Sequence, residues 1–68
     1  MISDLPENIR KTALILLKLG EATAEDIARI TGRKRSTESY YLNLMADMNL
    51  VKKKKVGRKI YFIFNGKD

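Results

Sequence analysis

Apolar residues recur at helical spacing from the start of the chain. Leu5, Ile9, Ala13 and Leu16 fall on one face, with Leu17 beside them, and the pattern predicts a first helix over residues 5–19. Asp4, followed three residues later by Glu7, resembles a capping box. Pro6 suits a first helical turn, where its missing N–H has no bond to lose, and Gly20 is a C-terminal stop. A shorter second helix is expected over residues 24–30, with Thr23 and Asp26 as another cap-like pair and Ile27, Ala28 and Ile30 apolar. Thr31 and Gly32 end it. A third helix runs from Lys34 or Ser36 to about Met48, with Leu42 and Met45 inward, joined by parts of Tyr41 and Met48. Asn49 can take the left-handed conformation that closes such a helix.

From Leu50 the period changes from helical to two. Leu50 and Val51 open a strand that continues into Lys52, Lys53, Lys54 and Lys55. Val56-Gly57-Arg58 reads as a tight turn with Gly57 supplying positive φ. Residues 60–64 form the second strand, with Ile60, Phe62 and Phe64 on one face and Tyr61 and Ile63 on the other. The order helix, helix, helix, strand, strand predicts a mainly α fold with a small β-hairpin: a winged helix-turn-helix, three-helix core plus wing. Residues 1–68 read as a single domain, with neither an internal repeat nor a Pro/Gly-rich linker.

Composition narrows the chemistry. A chain of 68 residues buries only about 60% of its unfolded surface, so its core is marginal unless something supplements it. Cysteine is absent, which removes disulfides and thiolate metal sites and leaves oligomerisation as the common remaining device. Histidine is absent too, and with it the commonest general base and neutral metal ligand. No nucleophile–base pair, phosphate loop or metal-ligand spacing appears, so no catalytic or metal residue and no cofactor is expected, and the chain reads as a non-enzyme. It reads as lacking space for a pocket of ordinary ligand size, so no small-molecule ligand is expected. The longest apolar run, residues 13–17, is preceded by Arg10-Lys11 and is far too short to span a bilayer; its place inside a capped helix, with no small-residue cleavage site after it, argues against a signal peptide. The expectation is a soluble, cytoplasmic, nucleoid-associated domain with no membrane partner.

Charge is unevenly placed. Residues 33–59 carry nine Lys or Arg against Glu38 and Asp47, a local excess of +7 in a chain whose net charge is +6. The excess sits in two patches: Arg33-Lys34-Arg35 before the third helix, and Lys52 to Lys55 with Arg58 and Lys59 in the hairpin. Such a field suits a polyanionic partner. Each patch also has a plainer account. The lysines can protect an edge strand from aggregation, and the arginines can sit in a solvated turn. Alternation lets at most half of the lysine run share one face.

The second and third helices, joined by Thr31-Gly32-Arg33-Lys34, read as a helix-turn-helix. The run from Thr23 to Ala28, then Gly32, Ser36-Thr37, Leu42, Met45, Asn49-Leu50-Val51 and Gly57-Arg58, resembles the winged-helix regulators of the ArsR and MarR superfamily over about residues 9–64. The resemblance implies double-stranded DNA as partner, a recognition helix over about residues 35–48 in the major groove, and a wing over about residues 51–63 on backbone or minor groove. It implies that Arg35, Ser36, Ser39, Tyr40 and Asn43 face DNA and that Gly57 and Arg58 form the wing tip. Chemically, Arg35 suits a bidentate bond to guanine and Asn43 one to adenine. Ser36 and Ser39 suit phosphate or a helix cap, and Tyr40 suits phosphate or a thymine methyl. Arg33, Lys34, Lys53, Lys55 and Lys59 complete the expected DNA-binding set as phosphate charge. Glu38 departs from the family pattern by standing at a normally apolar position, where it either orients Arg35 or repels DNA.

The first helix carries more apolar surface than one core face needs. Leu14 and Ile15, with Ile2 and Ile63, suggest a homodimer through this helix and the chain termini, setting two recognition helices about one DNA turn apart. A monomer remains the alternative. A protein-interaction winged-helix module of a larger complex and an RNA-binding domain remain the alternative functions.

Overall fold

A computed structural model describes residues 4–65 of the chain. Helix α1 (Glu7–Leu19) begins two residues later than the sequence suggests, with Pro6 as its N-cap and no side-chain cap. Pro6, rather than Asp4, is therefore the N-cap. A residue preceding proline is driven out of the helical region, so the helix cannot extend back through Leu5. Its end is as expected: Gly20 has φ 85° and donates its N–H to the Leu16 carbonyl at 2.9 Å.

Strand β1 (Glu21–Ala22) follows at once and was not expected, since two residues carry no readable period. It pairs antiparallel with the last strand, Glu21 opposite Ile63 and Ala22 opposite Phe62. Helix α2 (Ala24–Thr31) opens on a complete capping box: the Asp26 N–H donates to Thr23 Oγ1 at 3.0 Å and the Thr23 N–H donates to Asp26 Oδ2 at 3.1 Å. The Thr23 backbone N–H is the main reason that the Asp26 carboxyl lies below its ordinary pKa. Gly32, at φ 77°, closes α2.

Helix α3 (Arg35–Asp47) has Lys34 as N-cap without a side-chain cap, so Ser36 does not serve as one. Asn49 takes φ 64°, the left-handed conformation expected of it. Strands β2 (Val51–Val56) and β3 (Lys59–Phe64) then form the hairpin, and the sheet order β1-β3-β2 puts β3 in the centre. At the turn Gly57 has φ 62° and Arg58 does not have positive φ, as a type II′ turn requires.

The core joins Ala13 and Leu16 of α1, Ile27 of α2, Leu42 and Met45 of α3, and Val51, Phe62 and Ala22 of the sheet. β1 flanks β3 only at Phe62 and Ile63, and on the inner face Phe62 is buried whereas Ile60, nearer the hairpin tip, is exposed. Two inward positions differ from expectation. Leu17 and Met48 are half exposed, and Thr12 of α1 is buried in Leu17's stead. Among the described residues Glu38 is the other wholly buried polar residue, and its partners come from α1 and from the helix-turn-helix junction.

Candidate nucleic-acid interface

Helical period turns Ser36, Ser39, Tyr40 and Asn43 to the side of α3 opposite Glu38, Leu42 and Met45, which are buried. Tyr40 is 62% exposed. Tyr41 is half-buried against the core, as expected, with its ring centroid 5.8 Å from that of Tyr40. The Asn43 amide donates back to the Ser39 carbonyl at 2.8 Å, a local bond it must exchange to pair with a base edge.

Strand register divides the lysine run. Val51, Lys53 and Lys55 alternate onto the face carrying Phe62 and Ile60, whereas Lys52 and Lys54 lie with Ile63 and Tyr61 on the other. On that outer face Lys54 Nζ donates to Glu21 Oε1 at 2.8 Å, across the central strand.

The inner face meets α3 in a cleft of about 280 Å³. Six expected DNA-binding residues line it: Arg35, Ser39 and Asn43 from α3, and Lys53, Arg58 and Lys59 from the wing. Lys34, Ser36 and Lys55 lie outside the cleft and are exposed. The cleft falls just below the usual volume of about 300–1,000 Å³ for a small-molecule site. Sequence reading missed its third wall, Thr23, Ala24 and Glu25 at the start of α2. The capping box was the available signal, because it fixes where α2 begins.

Arg33 corrects the sequence expectation. Its guanidinium turns inward: Nε donates to Glu38 Oε2 at 2.7 Å, and Nη2 donates to Thr12 Oγ1 at 2.7 Å and Glu38 Oε1 at 3.2 Å. Glu38 therefore binds Arg33 rather than Arg35, and the Arg33 guanidinium is turned away from the outer face of α3. Thr12 and Thr31 donate their hydroxyls to the same carboxylate at 2.6 and 2.7 Å. Burial alone would push the Glu38 carboxyl up; hydrogen bonds from Arg33, Thr12 and Thr31 outweigh it and hold the group below its ordinary pKa. Two polar residues on otherwise apolar faces, Thr12 between Ile9 and Leu16 and Glu38 four before Leu42, were the signal for this network.

Of the apolar residues expected at a dimer contact, Leu14 is 47% and Ile63 39% exposed. Ile15 instead packs partly against the core. Ile2 lies outside the described residues. Among the described residues no three His, Cys, Asp or Glu side chains are grouped to hold a metal, and no helix is long and apolar enough to cross a membrane.

Three helices, a hairpin wing and a basic cleft between wing and third helix define a winged helix-turn-helix domain. The chain belongs to the TrmB family, described as sugar-specific transcriptional regulators, whose model matches residues 10–66. It is 85% identical over 68 residues to an uncharacterized protein of Archaeoglobus fulgidus, covering all of this chain and 92% of that one. Among solved structures, the AntR antimony-specific transcriptional repressor superposes with a TM-score of 0.81 at 22% identity, over 94% of this chain and 59% of that one. A possible transcriptional regulator for arsenical resistance gives a TM-score of 0.74 at 30% identity, over 87% and 62%. The chain thus spans about three fifths of the length of these two structures. Family and neighbours alike are described in terms of transcriptional regulation.

Proposed function

We propose that this domain reads duplex DNA by laying α3 in the major groove while the β2–β3 wing holds the flanking backbone or minor groove. The observation that carries the reading is the convergence of Arg35, Ser39 and Asn43 with Lys53, Arg58 and Lys59 on one cleft. Arg35 and Asn43 supply base-edge donors, with Ser36, Ser39 and Tyr40 beside them. Lys34, Lys53, Lys55, Arg58 and Lys59 supply phosphate contacts. Lys52 and Lys54, on the far face of the sheet, contribute only a diffuse field. The cleft is assigned to DNA rather than to the sugar named in the family description, because its cations lie on the groove-facing side.

Two copies act together in this reading. Leu14 and Leu17 form an exposed apolar pair on α1, and Ile63 adds an exposed apolar residue on the sheet's outer face. A symmetric pairing through these residues covers them and presents two recognition helices to a palindromic site. Selection of bound duplexes from a random library tests the whole reading. Enrichment of an inverted repeat with half-sites about 10 bp apart is expected. A pool that stays random after repeated rounds contradicts it.

A further inference from the structure

Arg33 is basic and precedes the recognition helix, yet its guanidinium turns inward. With Glu38 it forms, among the described residues, the one ion pair with a wholly buried carboxylate. Each carboxylate oxygen accepts two bonds. Oε1 takes the Thr12 hydroxyl and Arg33 Nη2, and Oε2 takes the Thr31 hydroxyl and Arg33 Nε. Thr31 Oγ1 in turn accepts the Arg33 backbone N–H at 3.1 Å. The four residues come from four segments: α1, the end of α2, the turn and α3.

Apolar side chains of similar volume at these places would fill the space without fixing a direction. A buried pair of charges is seldom a net gain in stability over such a replacement. Hydrogen bonds are directional, however, and turning α3 by a fraction of a residue would break several of these at once. The constraint also reaches the outer surface. The Arg33 guanidinium lies 5.1 Å from the centre of the Tyr41 ring, and that ring stacks at a tilt against the exposed Tyr40.

We infer that Arg33, Glu38, Thr12 and Thr31 form a positioning network that sets the rotation of α3 about its axis and so decides which bases its outer face meets. None of the four touches DNA. The inference rests on the DNA-binding reading above and adds residues that determine sequence preference from behind the recognition helix.

Two variants test it, each titrated with a selected duplex and with a random-sequence duplex. R33K keeps the charge but loses the planar fork that spans both carboxylate oxygens. R33M/E38L removes both charges and leaves no orphaned ion; the Thr12 and Thr31 hydroxyls can return to carbonyls one turn back in their own helices. In both, binding to random sequence and its salt dependence should stay at the wild-type level. Preference for the selected site should fall about tenfold or more. If R33M/E38L melts cooperatively and keeps the wild-type preference, the network is merely structural and the inference is overturned. If R33K keeps preference while R33M/E38L lowers the salt slope by about one phosphate, Arg33 is a backbone contact and the inference is equally overturned. Failure of the DNA reading itself would be seen elsewhere, as absent binding by the unsubstituted chain.

Discussion

Lys54 Nζ lies 2.8 Å from Glu21 Oε1, so a lysine in the middle of the basic run is bound across the outer face of the sheet. Its neighbour Lys53 lines the cleft beside α3. One residue of register separates them, and it assigns them different work. Lys53→Ala should lower DNA affinity severalfold and reduce the log–log salt slope by about 0.9, the signature of one lost phosphate contact. Lys54→Ala should leave both nearly unchanged. Because the Lys54–Glu21 pair is exposed, its loss should cost less than about 1 kcal/mol of stability. Anisotropy titrations at several salt concentrations compare the two variants; equal losses would refute the division.

Base reading rests on few side chains. Arg35→Ala and Asn43→Ala should each reduce discrimination between a selected site and a one-base variant by about 1–3 kcal/mol. Arg58→Ala should instead weaken all sequences alike. Competition binding against single-base variants distinguishes these patterns.

The three helices and the hairpin were legible because each carries its own period and punctuation. Gly20, Gly32, Asn49 and Gly57 all take the positive φ that their places in the pattern require. What stayed hidden depended on distant partners. Strand β1 exists because β3 offers it an edge, and nothing in Glu21-Ala22 announces that. Arg33 looked like part of the basic surface because its neighbours Lys34 and Arg35 are. Only the spatial meeting of Thr12, Thr31 and Glu38 turns it inward. The two faces of the lysine run were foreseeable from alternation, but the side turned to α3 follows from the register against Phe62.

Acid should loosen the domain through Glu38. Its folded pKa is below its unfolded value, so it contributes stability that is complete above the ordinary glutamate pKa and is lost as pH falls through the folded one. Urea unfolding between pH 7 and pH 2 should show stability declining at the acid end, and Glu38→Gln should flatten that decline. An unaltered acid limb in Glu38→Gln would place the titrating group elsewhere.

The α2 capping box has an equally definite cost of removal. Thr23→Ala deletes the oxygen that accepts the Asp26 N–H and should destabilise the domain by about 1 kcal/mol. For a domain of this size that corresponds to a fall of about 4–8 °C in Tm, readable by circular dichroism.

Leu14→Glu tests the paired arrangement. A charge on the exposed apolar ridge of α1 should shift sedimentation toward the monomer and weaken binding to an inverted repeat more than to a single half-site. A wild-type chain that sediments as a monomer at all concentrations, free and on DNA, would refute the pairing.

The central claim, that α3 and the wing form one DNA-binding surface, is tested most directly by the salt dependence of duplex binding. With about four to six phosphates contacted per protomer, log Kobs should fall against log salt with a slope of about −4 to −5 for each protomer. Binding that is flat in salt, or absent at low salt, would contradict the account.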